Sequence, residues 1–147
     1  VKGRRAYDIL ILIFALTILS GCGNNINTGD VRNYSDSILE NILISGNLRN
    51  YNDYSKDFSD NMKAALTEDL FNKNNALVKD KIGEYVSKDF IKVNTKKEKG
   101  INYIIVIYNA KYSKEPQGAL VSITFKEKDE NHKVEGLFMT SPKLAGK

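Results

Sequence analysis

At Gly83 the spacing of apolar residues changes, and that change restricts the possible folds more than any other feature of the chain. Ahead of it, Val31, Tyr34, Ile38, Leu39, Ile42 and Leu43 recur at steps of three and four, the period of one helix face. Asp30 is a suitable cap for this first helix and Gly46 a suitable stop. Tyr51-Asn-Asp-Tyr54-Ser-Lys-Asp-Phe58 and Met62-Lys-Ala-Ala-Leu66 read as two short helical turns. Thr67 introduces a further helix with Glu68 and Asp69 at the positive end of its dipole. Leu70, Phe71, Asn74, Leu77, Val78 and Ile82 make one face of that helix, and Gly83 ends it.

Beyond Gly83 the period is two, the signature of half-buried strands. The first strand is expected from about Glu84 to Thr95, with Lys96-Lys-Glu-Lys-Gly100 turning the chain into Ile101–Tyr112. Lys114-Glu-Pro-Gln-Gly118 is expected as the next turn, and Ala119, Val121, Ile123 and Phe125 then alternate with Leu120, Ser122 and Thr124. Lys128-Asp-Glu-Asn-His132 returns the chain into Lys133–Thr140. Short turns between consecutive strands make an antiparallel meander, and a sheet with one more apolar face needs helices on that side. The expected fold is therefore α+β, with N-terminal helices packed on one face of a curved four-stranded antiparallel sheet. Gly136 lies inside the last strand, where glycine weakens pairing, so a bulge is expected there. Such a bulge would swing Leu137 or Phe138 toward the core and leave Glu135 outward. Gly136→Val is then expected to destabilise the domain.

With 147 residues, 41% hydrophobic and 10% aromatic, the chain suits a single globular domain and is not a disordered one. Its net charge of +4 owes two units to Lys2, Arg4 and Arg5 opposed by Asp8, and the remaining excess is too small to suggest nucleic acid as a partner. Those basic residues precede the apolar run Ile9–Leu19, which is followed by Ser20, Gly21 and the single cysteine, Cys22. This is the layout of a secretory signal peptide. The run is shorter than the roughly 20 residues that span a bilayer, and with no polar face interrupting it, it is not read as a buried core helix of the domain.

Leu19-Ser20-Gly21-Cys22 resembles the lipobox of bacterial lipoproteins. The resemblance implies attachment of diacylglycerol to the Cys22 sulfur, cleavage between Gly21 and Cys22, and acylation of the new amino group. Two acyl chains make a stable anchor where one is marginal. The implied organisation is a signal peptide over 1–21, a lipidated cysteine and flexible tether over 22–29, and one domain over 30–147. The implied location is the extracytoplasmic face of the cell membrane. The excess of Lys, Asn and Ile suggests a Gram-positive bacterium.

Within the domain, Asn50–Phe58, Met62–Leu66, Gly83-Glu84-Tyr85, Tyr108–Tyr112 and Lys133–Leu137 together resemble the bacterial domain-of-unknown-function family 3887. The resemblance implies a cystatin-like cone, as in nuclear transport factor 2, in which helices and a curved sheet enclose a cavity. Tyr51, Tyr54, Phe58, Tyr85, Tyr108, Tyr112 and Phe138 are the candidates to line a ligand pocket there, although tyrosine and phenylalanine are also ordinary residues of half-buried strands. Cavity enzymes of that fold use Asp or His as acid and base. The single histidine, His132, reads as a solvated turn residue, and Lys96, Lys97 and Lys99 as a solvated basic hairpin tip. The sequence contains no glycine-rich phosphate loop and no Gly-x-Ser-x-Gly elbow. One histidine and a lipidated cysteine do not make a metal site, and no cofactor is expected. Two functions compete: a membrane-tethered, non-catalytic module for a small apolar ligand, a peptide or a protein, and a small isomerase or dehydratase. A carboxylate of Asp53, Asp57, Asp89 or Glu135 aimed into an enclosed cavity would favour the second.

Overall fold

The computed structural model describes residues 25–146. The signal peptide, the Gly21–Cys22 bond and the acylation site at Cys22 lie outside the described residues. Four helices precede four strands: α1 Thr28–Leu48, α2 Tyr51–Ser55, α3 Asp60–Ala65, α4 Glu68–Lys81, β1 Tyr85–Glu98, β2 Ile101–Tyr112, β3 Glu115–Lys126 and β4 Val134–Thr140. The strands form one curved, unclosed antiparallel sheet in the order β1-β2-β3-β4, so the chain has the expected α+β fold.

Capping decides where the helices start. The side-chain carbonyl of Asn27 accepts the backbone N–H groups of Gly29 and Asp30, so α1 begins at Thr28 and Asp30 lies in its first turn instead of at its cap. The helix thus takes up the last two residues of the expected tether. Gly46 does not stop α1 either. The helix runs on to Leu48 and ends at Arg49, which is left-handed (φ 53°) and donates its N–H to the Gly46 carbonyl. Asn50 and Ser59 cap α2 and α3 through their side chains, while Thr67 holds the cap position of α4 without a side-chain bond. After α4, Gly83 adopts φ 86°, and a Cβ there would lie 2.1 Å from Ser113 Oγ.

The strands reach further than the expected turns allow. β1 continues through Lys96, Lys97 and Glu98, and a two-residue turn of Lys99 (φ 48°) and Gly100 (φ 80°) leads directly into β2. Two positive φ values match the twist of a tight hairpin. The charged arms remain strand because their side chains stand in solvent. β3 likewise begins at Glu115, directly after Ser113-Lys114. Between the pairs Ala110↔Ala119 and Tyr112↔Glu115, β3 takes four steps where β2 takes two. Gly118 (φ 94°) lies in that irregularity under the Asn109 side chain, whose Nδ2 donates to the Gln117 carbonyl at 3.0 Å.

In β4 the extra residue is Glu135, between the pairs Thr124↔Gly136 and Phe125↔Val134. The expected bulge is therefore present next to Gly136. It does not depend on glycine: a Cβ on Gly136 would meet Thr124 Cβ at 3.4 Å, an ordinary contact. Leu137 turns toward the core, whereas Phe138 turns away and is 53% exposed.

The core lies between α1 and the concave side of the sheet. Val31, Leu39, Ile42 and Leu43 of α1 meet Ile104, Val106, Tyr108 and Ala110 of β2 and Ala119, Val121, Ile123 and Phe125 of β3. Phe71 and Ile82 are buried at the start and end of α4, but Leu70 and Leu77 of the expected apolar face are exposed.

Candidate functional site

The structure divides the seven aromatic pocket candidates into three places. Tyr51, Tyr54 and Phe58 group with Phe71 under the short helices, with ring centroids 5.5 Å apart for Tyr51–Phe71, 4.5 Å for Tyr54–Phe71 and 5.4 Å for Tyr54–Phe58. The Tyr51 hydroxyl donates to the Leu66 carbonyl at 2.8 Å and ties α2 to the end of α3. Tyr85, Tyr108 and Tyr112 are buried on the concave side of the sheet, and Tyr85 and Tyr112 meet edge to face at 6.0 Å. Phe138 is the one candidate of the seven on the convex face. These residues do not surround one common pocket; five belong to the core, Tyr51 packs half-buried on Phe71 and Phe138 faces solvent. Burial raises the phenols of Tyr54, Tyr85, Tyr108 and Tyr112 above their ordinary value, so each is a neutral packing group at physiological pH.

The most organised polar chemistry lies along a seam between α1 and the β1–β2 half of the sheet. The Tyr108 hydroxyl, 1% exposed, lies 2.6 Å from Asp36 Oδ1 and 2.7 Å from the buried Ser35 Oγ. The phenol has one proton. It donates to Asp36, so Ser35 donates to the phenol oxygen. Arg32 pairs with Asp36 at 3.3 Å and lies over the Phe90 ring, 4.6 Å from its centroid. One turn on from Asp36, Glu40 Oε2 accepts from Tyr85 Oη at 2.7 Å and from Lys88 Nζ at 2.5 Å. Burial raises the Glu40 carboxyl, but the Lys88 and Tyr85 hydrogen bonds and the Lys88 charge outweigh it and hold the group below its ordinary value.

Of these seam partners the sequence reading marks only Tyr85 and Tyr108, as pocket candidates, and not Arg32, Ser35, Asp36, Glu40 or Lys88. Arg32, Asp36 and Glu40 do follow one another at intervals of four, the spacing of one helix face, and that ladder was the available signal. Every acid in the seam has a partner, and the two carboxylates are held by cations. The geometry fixes α1 to the sheet.

The four carboxylates considered for catalysis are dispersed. Asp53 accepts from Asn50 Nδ2 at 2.7 Å beside the α2 cap, and Asp89 pairs with Lys111 at 3.3 Å in solvent. Asp57 uses its backbone carbonyl to accept Val134 N–H. Glu135 pairs with Lys126 at 2.8 Å on the rim of a surface hollow of about 420 Å³, shared with Phe58, Ser59, Asp60 and Lys133. A second hollow of about 640 Å³ lies between the β1–β2 and β3–β4 turns, beside Lys97, Ile101, Asn102 and Lys128.

His132 differs from its expected role as a solvated turn residue. It is half-buried, has φ 49°, and stacks flat on Tyr34 with centroids 3.8 Å apart. Asp129 shapes the turn by accepting the N–H groups of Asn131 and Lys133, bonds that lower its carboxyl below the ordinary value. Among the described residues no group of three or more His, Cys, Asp or Glu side chains is arranged to hold a metal ion.

No curated protein and no solved structure shows a significant match to the chain. The family model described as "Protein of unknown function (DUF3887)" matches residues 39–137, from the middle of α1 to the middle of β4, and the chain belongs to that family.

Proposed function

We propose that the protein is an extracytoplasmic lipoprotein, held to the cell membrane through acylated Cys22, whose domain is a non-catalytic module that binds a peptide or another protein. The observation that carries the binding half of this reading is the use of the aromatic candidates. Five of them pack the core and Tyr51 packs on Phe71, and the convex sheet face offers exposed Leu120 and Phe138 beside Ile107. Such a surface suits contact with another polypeptide better than enclosure of a small molecule. The tether half is supported by the lipobox-like Leu19-Ser20-Gly21-Cys22, which ends six residues before α1 begins.

Fractionation of producing cells tests the tether. The parent chain is expected in the membrane fraction, and a Cys22→Ser chain is expected to lose its lipid and leave that fraction. Equal membrane retention of both chains overturns the anchor. Mass spectrometry of material purified from the membrane tests the module. A co-purifying polypeptide that is lost with Leu120→Ser supports the reading, and a stoichiometric small apolar ligand overturns it.

A further inference from the structure

The two edges of the sheet are protected to different degrees. β1 carries Lys88, Lys92, Lys96 and Lys97 together with extra residues at Val86 and Ile91, and charges and bulges of this kind discourage a further strand from pairing. β4 is occupied only at its start, where Val134 donates to the Asp57 carbonyl at 2.8 Å and accepts from Ser59 N–H at 3.0 Å. The remaining segment, Gly136-Leu-Phe-Met-Thr140, has no charge and no proline. Among the described residues, no backbone group outside the sheet pairs with it. A five-residue strand edge of this composition is a template for another strand.

We infer that β4 pairs edge to edge with β4 of a second copy of this chain, antiparallel about a two-fold axis at Phe138. The occupant follows from the segment's own pattern. In this register Phe138 faces its own equivalent, Leu137 faces Met139 of the second copy, and Gly136 faces Thr140. Apolar residues meet apolar ones and small residues meet small ones at every position. The register also keeps each side chain on its own face, so Leu137 and Met139 extend the core side while Phe138 extends the convex side. The result is one eight-stranded sheet with both sets of helices on the same side. Five residues give about 17 Å of shared edge, which places the contact among weak, concentration-dependent interfaces. This assembly goes beyond the proposed tethered module and does not require it.

Cross-linking of the full chain as isolated from producing cells tests the register. Directly opposed residues of an antiparallel pair have Cα atoms about 4.5–5.5 Å apart, within disulfide range. Under mild oxidation, Phe138→Cys is expected to give a band of twice the chain mass, several-fold above Val86→Cys, which is exposed on the protected edge, and above the parent chain with Cys22 alone. Sedimentation is expected to show a concentration-dependent dimer for the parent and a monomer for Phe138→Lys. No dimer band for Phe138→Cys, or an equal one for Val86→Cys, overturns the inference. A cross-linked product of any other mass also overturns it, because a different protein then occupies the edge.

Discussion

β3 presents two chemistries from one stretch of chain. Ala119, Val121, Ile123 and Phe125 point at the helices and are fully buried, while Leu120, Ser122, Thr124 and Lys126 point the other way. The same contrast separates Phe125 from Phe138, two phenylalanines on neighbouring strands. One closes the core against Tyr34, with ring centroids 5.0 Å apart, and the other is more than half exposed. Residue type therefore says little about role in this sheet, and strand parity says most.

The widest gap between the two faces is expected from paired truncations. Phe125→Ala should cost about 3–5 kcal/mol by opening a cavity in the core, whereas Phe138→Ala should stay within about 0.5 kcal/mol of the parent. Urea melts measure both, and comparable losses would break the comparison. Two strand glycines sharpen it next. Gly118→Ala places a Cβ 2.0 Å from Asn109 Oδ1 at a left-handed backbone position, and is expected to cost about 1–3 kcal/mol. Gly136→Ala has room and no positive φ, and should be neutral to slightly stabilising. The loss expected from the sequence for Gly136→Val loses its basis in glycine backbone strain, since the bulge is carried by Glu135.

Parity also explains what the sequence made legible. The alternation from Ala119 to Phe125 and the three- and four-residue steps from Val31 to Leu43 are strong because each follows burial on one side of an element. Helix order, strand order and the concave core could be read from those patterns. Strand ends could not, since Lys96, Lys97 and Glu115 carry polar side chains whose backbones still pair. The side on which Phe138 emerges depends on the extra residue at Glu135, a fact of register without a local sequence signal. The seam was harder still, because Asp36 and Tyr108 come together from 72 positions apart.

A smaller effect is expected inside that seam. Tyr108→Phe keeps the ring but leaves the buried Ser35 hydroxyl without its partner, and should cost about 1–2 kcal/mol. If denaturation shows no change, the seam does not hold α1 to the sheet. The smallest effect is the pH response of Glu40. Its carboxyl titrates lower in the folded chain than in the unfolded one, so its contribution is present above the ordinary value of 4.5 and is lost as pH falls through the folded value. A Glu40→Gln chain should therefore show a shallower decline in melting temperature below that pH, and identical acid profiles would remove Glu40 from the ledger.

The separation between Ser35 and Tyr108 has a consequence for how the protein is made. Ser35 meets its partner 73 positions later, and synthesis proceeds from the N-terminus at about 5–20 residues per second. At those rates α1 waits roughly 4–15 seconds with its apolar stripe uncovered. Once β2 emerges, the sheet itself assembles quickly, because every strand neighbours the one before it and the β1–β2 turn is two residues long. The exposed interval for this chain is therefore the one before β2 is available, when α1 has α2 and α4 to bond with but nothing yet over the stripe that faces the sheet.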